Sequence, residues 1–283
     1  MPNTVSDDDA YFGRSMDEQT FQSLCRIIYD YSGITLGPTK RALVMTRVGK
    51  RMRALGCPDY AAYLKKLTTE NSHDEFVQLI DAVSTNVTSF FRESAHFDYL
   101  HDRLAGWASS GQSKFRIWCA AASTGEEPYT LAMTSLNAIQ GKTSDIRILA
   151  TDISTRALSL CVNGVYSEEK VKPVPQDLRS KYMEKVKTNG ETTYSAGPAL
   201  RKLLTFNRLN LSKPPFPMKG PFDCVFCRNV MIYFDRDVRS ALLNDIHRLL
   251  RPGGYLFVGH CESLTNTVRG YKAVTPSVYI KVD

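Results

Sequence analysis

The sequence predicts an α/β fold, a doubly wound and mostly parallel sheet with helices on both faces, preceded by an all-helical domain. Three observations carry this. From Phe115 onward the strand-like runs FRIWCA, IRILATD, LLTFNRLNL, FDCVFCRN and GYLFVGHC alternate with helical segments, the pattern of parallel strands joined by crossover helices. From Met16 to Ser84 the periodicity is helical almost throughout. The stretch RIWCAAASTGEEPYTLAM, beginning at Arg116, reads as a buried strand, a tight turn of small residues and a helix start, the opening of a nucleotide-binding unit.

The elements follow in order. Residues 1–15, MPNTVSDDDAYFGRS, form an acidic start that is expected to be disordered. Residues 16–84 make the helical domain from DEQTFQSLCRIIYDYSG, PTKRALVMTRVGKRMRALG, DYAAYLKKL and HDEFVQLIDAVS, punctuated by Gly33, Gly37, Gly56, Pro38 and Pro58. TNVTSFFRE, from Thr85, and the helix SAHFDYLHDRLAGW form a linker and connecting helix over 85–114. Residues 115–283 are the α/β domain. In it, DRDVRSALLNDIHRLL stops at Arg251-Pro252-Gly253-Gly254, and YKAVTPSVYIKVD reads as a hairpin-like terminal pair. One stretch breaks the alternation: about 165–202 is too long for a connector and rich in polar and turn residues, so it reads as a small inserted subdomain.

Composition bounds the function. A net charge of +7 and a pI near 9.0 point to an acidic partner: nucleic acid, a membrane surface or an acidic protein. No apolar run approaches the roughly 20 residues of a membrane span, and the N-terminus lacks the basic and apolar regions of a leader, so a cytoplasmic protein is expected; a monomer is the default expectation. The seven scattered cysteines suit buried, reduced thiols. Cys224 and Cys227 form a C-x-x-C inside a strand, where positions three apart face opposite sides and do not chelate. His73, His96, His101, His247 and His260 show no metal spacing, and no metal is expected.

The turn at Gly125 poses the chemical question. A phosphate cradle needs bare backbone N–H groups and several glycines, whereas ASTGEE has one glycine followed by Glu126 and Glu127. Asp152 ends the next strand, where an acid takes ribose hydroxyls in doubly wound folds, and its register with the Gly125 turn favours that role over the other reading, a cap for the helix of STRALSL. A ligand with a ribose, an adenine and a cationic tail fits this pattern, and S-adenosylmethionine is such a ligand. One of Glu126 and Glu127 is expected to face it, the other to sit against the helix dipole.

With that, TNVTSFFRE, AAASTGEEPYTLAM, ATDIS, FDCVFCRNVMIYFD and LRPGGYLFVGHCESL together resemble the CheR family of chemoreceptor glutamate O-methyltransferases, from about Phe21 to the C-terminus, in matching order and spacing. The resemblance implies a Rossmann-like class I SAM-dependent methyltransferase domain, with an N-terminal all-helical domain and a small inserted β subdomain. It implies methyl transfer to receptor glutamates for chemotactic adaptation, with S-adenosyl-L-homocysteine as product. By it, Asn86, Thr88 and Arg92 contact the cofactor or organise the site, and the Arg92 fork holds a carboxylate of cofactor or acceptor. Glu127 is the acid at the cofactor, Asp152 the ribose ligand, and Asn210 and Leu211 the pair at the adenine edge. Cys227 and Arg228 line the cofactor, Asn229 braces the turn, and Tyr233 presents a phenol near the acceptor carboxylate. Catalysis is expected from Arg92 and Tyr233.

The partner surface is read from PTKRALVMTRVGKRMRALG. Val44, Val48, Met52 and Leu55 recur at helical spacing, and Lys40, Arg47, Lys50, Arg51 and Arg53 fall on the remaining arc, with no acid before Asp59. Such a face suits the acidic helical bundle of a receptor's cytoplasmic region. In some family members the inserted subdomain also docks a C-terminal receptor peptide as an added strand; KVKTNGETTYSAG decides nothing on that point. A nucleic-acid methyltransferase would carry an Asn/Asp-Pro-Pro-aromatic turn where this chain has RNVMIYF. A SAM-sensing module without turnover is the rival from another class, and an NAD-linked oxidoreductase is disfavoured by Glu126 and Glu127.

Overall fold

A computed structural model describes residues 16–69, 73–188, 190–264 and 269–282; the stretch expected to be disordered, 1–15, lies outside them. The chain divides into two compact units: residues up to Thr85 together with Tyr233–Asp235, and Asn86–Ile232 together with the chain from Arg236.

The first unit holds α1 (Glu18–Ser32), a 3-10 turn (Pro38–Lys40), α2 (Arg41–Leu55), α3 (Tyr60–Leu67) and α4 (His73–Val83). Asp17 caps α1 by accepting from Thr20 N at 2.8 Å, and Gly33, at φ 70°, ends it in the left-handed conformation that favours glycine. The apolar stripe of α2 buries Val44, Val48 and Met52 in a core with Leu24, Ile28, Tyr63 and Leu79. Beside that core Arg51 clamps Glu75 through two bonds of 3.0 and 2.6 Å, and the Tyr63 hydroxyl donates to the same carboxylate at 2.7 Å. Tyr233–Asp235 join this unit through Thr35 N, which donates to Tyr233 O at 2.8 Å, and the Tyr29 hydroxyl, which donates to Asp235.

The second unit is the expected α/β domain. Its strands are β1 (Lys114–Cys119), β2 (Asp145–Asp152), β3 (Val165–Ser167), β4 (Met183–Thr188), β5 (Glu191–Ala196), β6 (Leu204–Arg208), β7 (Phe222–Cys227), β8 (Leu250–Val258), β9 (Tyr271–Thr275) and β10 (Val278–Lys281). Seven of them form one sheet in the order β6-β2-β1-β7-β8-β10-β9. Pairing is parallel from β6 to β8, and the terminal hairpin β9–β10 adds antiparallel to β8. The central strands read as continuous apolar runs because both faces are covered: every residue of β7 is buried. Within the core Phe226 and Phe257 stack at 4.1 Å between centroids, and α5 (Ala95–Ser109) contributes Phe97 against Phe226 at 5.8 Å. The inserted segment folds as a separate antiparallel sheet, β3-β5-β4, which accounts for the break in alternation.

Candidate active site

Chain order brings three strand ends together. β1 sits between β2 and β7, so the chain leaves β1 to one side first and returns later on the other, the switch point at which open α/β sheets bind ligands. The turn after β1 is closed on itself. Ala120 N donates to Phe226 O, Ala122 N to Thr151 O and Gly125 N to Ala122 O, at 2.8, 2.8 and 3.0 Å, while Ser123 N donates to Asp152 at 2.8 Å. These amides are engaged by the protein rather than offered to a phosphate. Gly125 has φ 101°, and a side chain there would collide with the Tyr166 hydroxyl.

Both acids of the turn are buried at the start of α6 (Glu126–Ala138). Glu126 accepts from the Thr124 hydroxyl at 2.5 Å and pairs with Lys170, from the inserted subdomain, at 2.7 Å. Glu127 accepts from the Cys119 thiol at 3.3 Å and holds Arg228 at 2.7 Å. Burial pushes the Glu127 carboxyl up, and the Arg228 guanidinium works against that shift. The Asp152 carboxylate accepts from Ser123 N and, at 2.9 Å, from Ser154 N. The cap of the next helix, α7 (Thr155–Asn163), is Ser154, whose hydroxyl accepts from Ala157 N at 3.0 Å. Asp152 therefore does not take the capping role that was its other reading.

Arg228 is the hub of the site. Its side chain has no exposure, lies over the Phe97 ring at 5.3 Å from the centroid, and bridges Glu127 to Glu93, the latter at 3.0 Å. It also donates to Arg92 O. A guanidinium this deep requires counter-charges, and two carboxylates supply them. Burial works to raise the Glu93 carboxyl, but the bond and charge of Arg228, helped by Asn229 and the His260 N–H, hold it below the usual range. Glu262 braces the neighbouring turn, accepting from Asn229 N at 2.7 Å, Gly259 N at 2.8 Å and Ile232 N at 3.2 Å. Phe91, Glu93, Ser123 and Asn229 all adopt left-handed backbone, with φ of 52°, 57°, 50° and 55°. Such conformations persist where their surroundings enforce them and cluster at functional sites.

The expected site residues are placed unevenly. Asn86 and Thr88 are half-buried in the segment before α5, and the Arg92 guanidinium donates to Val87 O at 3.1 Å. Asn210 closes an Asx-type turn, its amide oxygen accepting from Ser212 N at 3.0 Å and the Ser212 hydroxyl at 2.8 Å, and Leu211 is buried. Cys227 is fully buried, and burial holds its thiol well above the ordinary range; Cys224 is the same. Tyr233 is half-buried and belongs to the helical unit.

The basic arc of α2 needs correction. Arg51 is the clamp on Glu75, and Arg47 donates to Ala82 O at 2.5 Å and Ser84 O at 3.3 Å, so two of its five cations face inward. Their partners come from α4 and from Ser84 just after it, beyond the segment in which no acid was found. Lys40 and Lys50 remain exposed, and Arg53 is half-buried.

Sequence reasoning missed Glu93, Glu262, Lys170 and the pairing of His96 with His260, whose rings lie 5.2 Å apart. The motifs FFRE and GHCESL held the two glutamates in plain view, but nothing local marked their partners. Glu93, His96 and His260 place ligand-type atoms within 4.8 Å of one another, a grouping the histidine spacing does not reveal. Arg228 pairs with the same Glu93 carboxylate at 3.0 Å.

The donor set suits a ligand with a ribose and a positive charge. Acid ends β2 and acid follows β1, while the buried Ser123 Oγ and Arg228 Nε, without hydrogen-bond partners among the described residues, are donors suited to an acceptor atom of a ligand. Comparison with known proteins agrees. Residues 86–280 match the family model "CheR methyltransferase, SAM binding domain", and residues 19–84 match "CheR methyltransferase, all-alpha domain". The chemotaxis protein methyltransferase of Salmonella typhimurium is 36% identical over 266 residues, covering 94% of this chain and 91% of that protein. That of Escherichia coli is 35% identical with the same coverage, and that of Borreliella burgdorferi is 35% identical over 268 residues, covering 91% and 92%.

Proposed function

The chain belongs to the CheR methyltransferase family and is a SAM-dependent methyltransferase, and from that premise we propose that it esterifies glutamate side chains on the cytoplasmic helical bundle of chemoreceptors. The match to the chemotaxis protein methyltransferases supports the receptor substrate, and the observation that carries the cofactor is the acidic, self-closed turn after β1 with Asp152 at the end of β2, chemically wrong for phosphate and right for a cationic nucleoside. S-adenosylmethionine, when bound, supplies a sulfonium methyl group open to displacement by a carboxylate oxygen. Asp152 takes the ribose hydroxyls, and Glu127 meets the positive charge. Asn86 and Thr88 order the segment over the site, Arg92 holds a carboxylate, and Asn210 and Leu211 border the base. Cys227, Arg228 and Asn229 form the wall at the end of β7, and Tyr233 serves the acceptor.

No strong general base is required. The acceptor glutamate is ionised at neutral pH, so the work left to the protein is alignment and exclusion of water. The exposed Lys40 and Lys50, with Arg53, offer a basic face to an acidic bundle. A receptor peptide on the edge of the β3-β5-β4 sheet is a second contact consistent with its open strands.

Calorimetric titration with S-adenosylhomocysteine, with NAD in parallel, tests the cofactor. Binding of the former alone, weakened at least tenfold by Asp152→Ala, is expected. Labelled methyl transfer to receptor-bearing membranes as a base-labile ester, lost in Arg92→Ala and reduced in Tyr233→Phe, is expected of the enzyme. Partner binding without transfer in the wild type would leave only a sensing module.

A further inference from the structure

Two carboxylates pair with the one guanidinium of Arg228, and the arithmetic of that ion cluster leaves a charge over. Glu93 and Glu127 contribute −2, Arg228 contributes +1, and all three are removed from solvent, with side-chain exposures of 13%, 11% and 0%. The neighbouring acid, Glu126, is balanced separately by Lys170 at 2.7 Å. A protein gains nothing in stability from a buried surplus charge, since burying an unmatched ion is costly. Glu127 alone would have neutralised Arg228. Glu93 is the supernumerary acid, and it is held there by deliberate means: left-handed backbone at φ 57°, and acceptance from Arg228, Asn229 Nδ2 at 3.4 Å and His260 N at 3.4 Å.

We propose that Glu93 is a positioning residue that biases the site toward the charged cofactor over its neutral product: by drawing on Arg228 it leaves the Glu127 carboxylate incompletely neutralised for the ligand's positive charge. The inference rests on the reading that Glu127 faces the cofactor. S-adenosylmethionine carries a sulfonium, an ammonium and a carboxylate, net +1, and S-adenosylhomocysteine lacks the sulfonium charge and is neutral overall. A surplus of −1 in the wall therefore favours the first and is indifferent, to first order, to the second. Transfer of the methyl group removes the charge that the surplus complements. Arg92 and Asp152 are the same in every variant, so their contributions drop out when each ratio is compared with that of the wild type. The imidazoles of His96 and His260 flank Glu93, and that of His96 adds no charge to the count, its pKa lying at about 4.

The test is the ratio of dissociation constants for S-adenosylmethionine and S-adenosylhomocysteine, measured by calorimetry at pH 8 on wild type, Glu93→Gln, Glu93→Ala and Glu93→Asp. Deleting one charge at a distance on the order of 10 Å in a protein-like dielectric is expected to raise this ratio by about threefold or more in the Gln and Ala variants. Glu93→Asp, which keeps the charge, is expected to stay within twofold of wild type. Both ligands are titrated into the same sample, so a partly unfolded preparation changes the stoichiometry and leaves the ratio intact. Equal weakening of both ligands, or an unchanged ratio, would overturn the proposal and make Glu93 a scaffold residue only, while leaving the cofactor reading in place. Failure of the wild type to bind either ligand would overturn both.

Discussion

His96 provides the sharpest thermodynamic test of how this site is assembled. It is 2% exposed, neither ring nitrogen has a hydrogen-bond partner among the described residues, and the ring sits edge-on to Phe257 at 5.8 Å and to His260 at 5.2 Å. Burial first, and the Arg228 charge second, bring its pKa down from 6.5 to about 4, against the smaller pull of Glu93. The folded protein therefore keeps this imidazole neutral while the unfolded chain takes a proton below pH 6.5, so stability falls as pH falls through the window from 6.5 to about 4. At about 1.4 kcal/mol per pH unit the full loss is about 3 kcal/mol, of which about 2 kcal/mol falls between pH 7 and pH 5. His96→Phe keeps an aromatic ring in the aromatic cage and cannot protonate. Urea unfolding followed by tryptophan fluorescence is the assay, because Trp107 and Trp118 both lie in the α/β unit and report on it alone. The variant is expected to lose about 2 kcal/mol less than wild type between pH 7 and pH 5. Parallel losses in the two proteins would refute the argument that this histidine is buried neutral.

Two further outcomes follow from the packing. Glu75→Gln strips Arg51 of its counter-charge and Tyr63 of an ionised acceptor, and is expected to destabilise the helical unit by about 2 kcal/mol, read as a lower midpoint in far-UV circular dichroism without a change in calorimetric affinity for S-adenosylhomocysteine. Gly125→Ala forces an L side chain into φ 101° against the Tyr166 hydroxyl; it is expected to cost about 1–3 kcal/mol of stability and to weaken S-adenosylhomocysteine more than tenfold, a combination that a merely strained distant turn would not produce.

What the sequence made legible was local. Strands β1, β2, β7 and β8 announce themselves as apolar runs, the helices of the first unit as 3.6-residue periodicity with glycine and proline stops, and the acidic turn as two adjacent glutamates after a lone glycine. The inserted sheet was legible only as an interruption, because its strands MEKVKT and ETTYSA are polar. Charge pairing was illegible, since Arg228 finds Glu127 and Glu93 at separations of 101 and 135 residues and Arg51 finds Glu75 at 24. An arginine in a sequence carries no mark of whether it will face water or a buried acid, and the arc of α2 read as uniformly basic for that reason.

Arg92 and Glu93 show the same limit at its shortest range. Side by side, they invite the reading of an exposed pair that satisfies itself. The left-handed backbone at Glu93 breaks that pairing: its carboxylate reaches Arg228 at 3.0 Å, while the Arg92 guanidinium turns back to Val87 O at 3.1 Å. A right-handed or extended backbone at Glu93 would aim the carboxylate elsewhere and leave Arg228 with one counter-charge instead of two. The surplus charge of the site is thus a consequence of one backbone torsion, held by the strand ends that supply Arg228, Asn229 and His260. That is why the residue which sets the electrostatics of the pocket is identifiable from the fold and not from its neighbours in the chain.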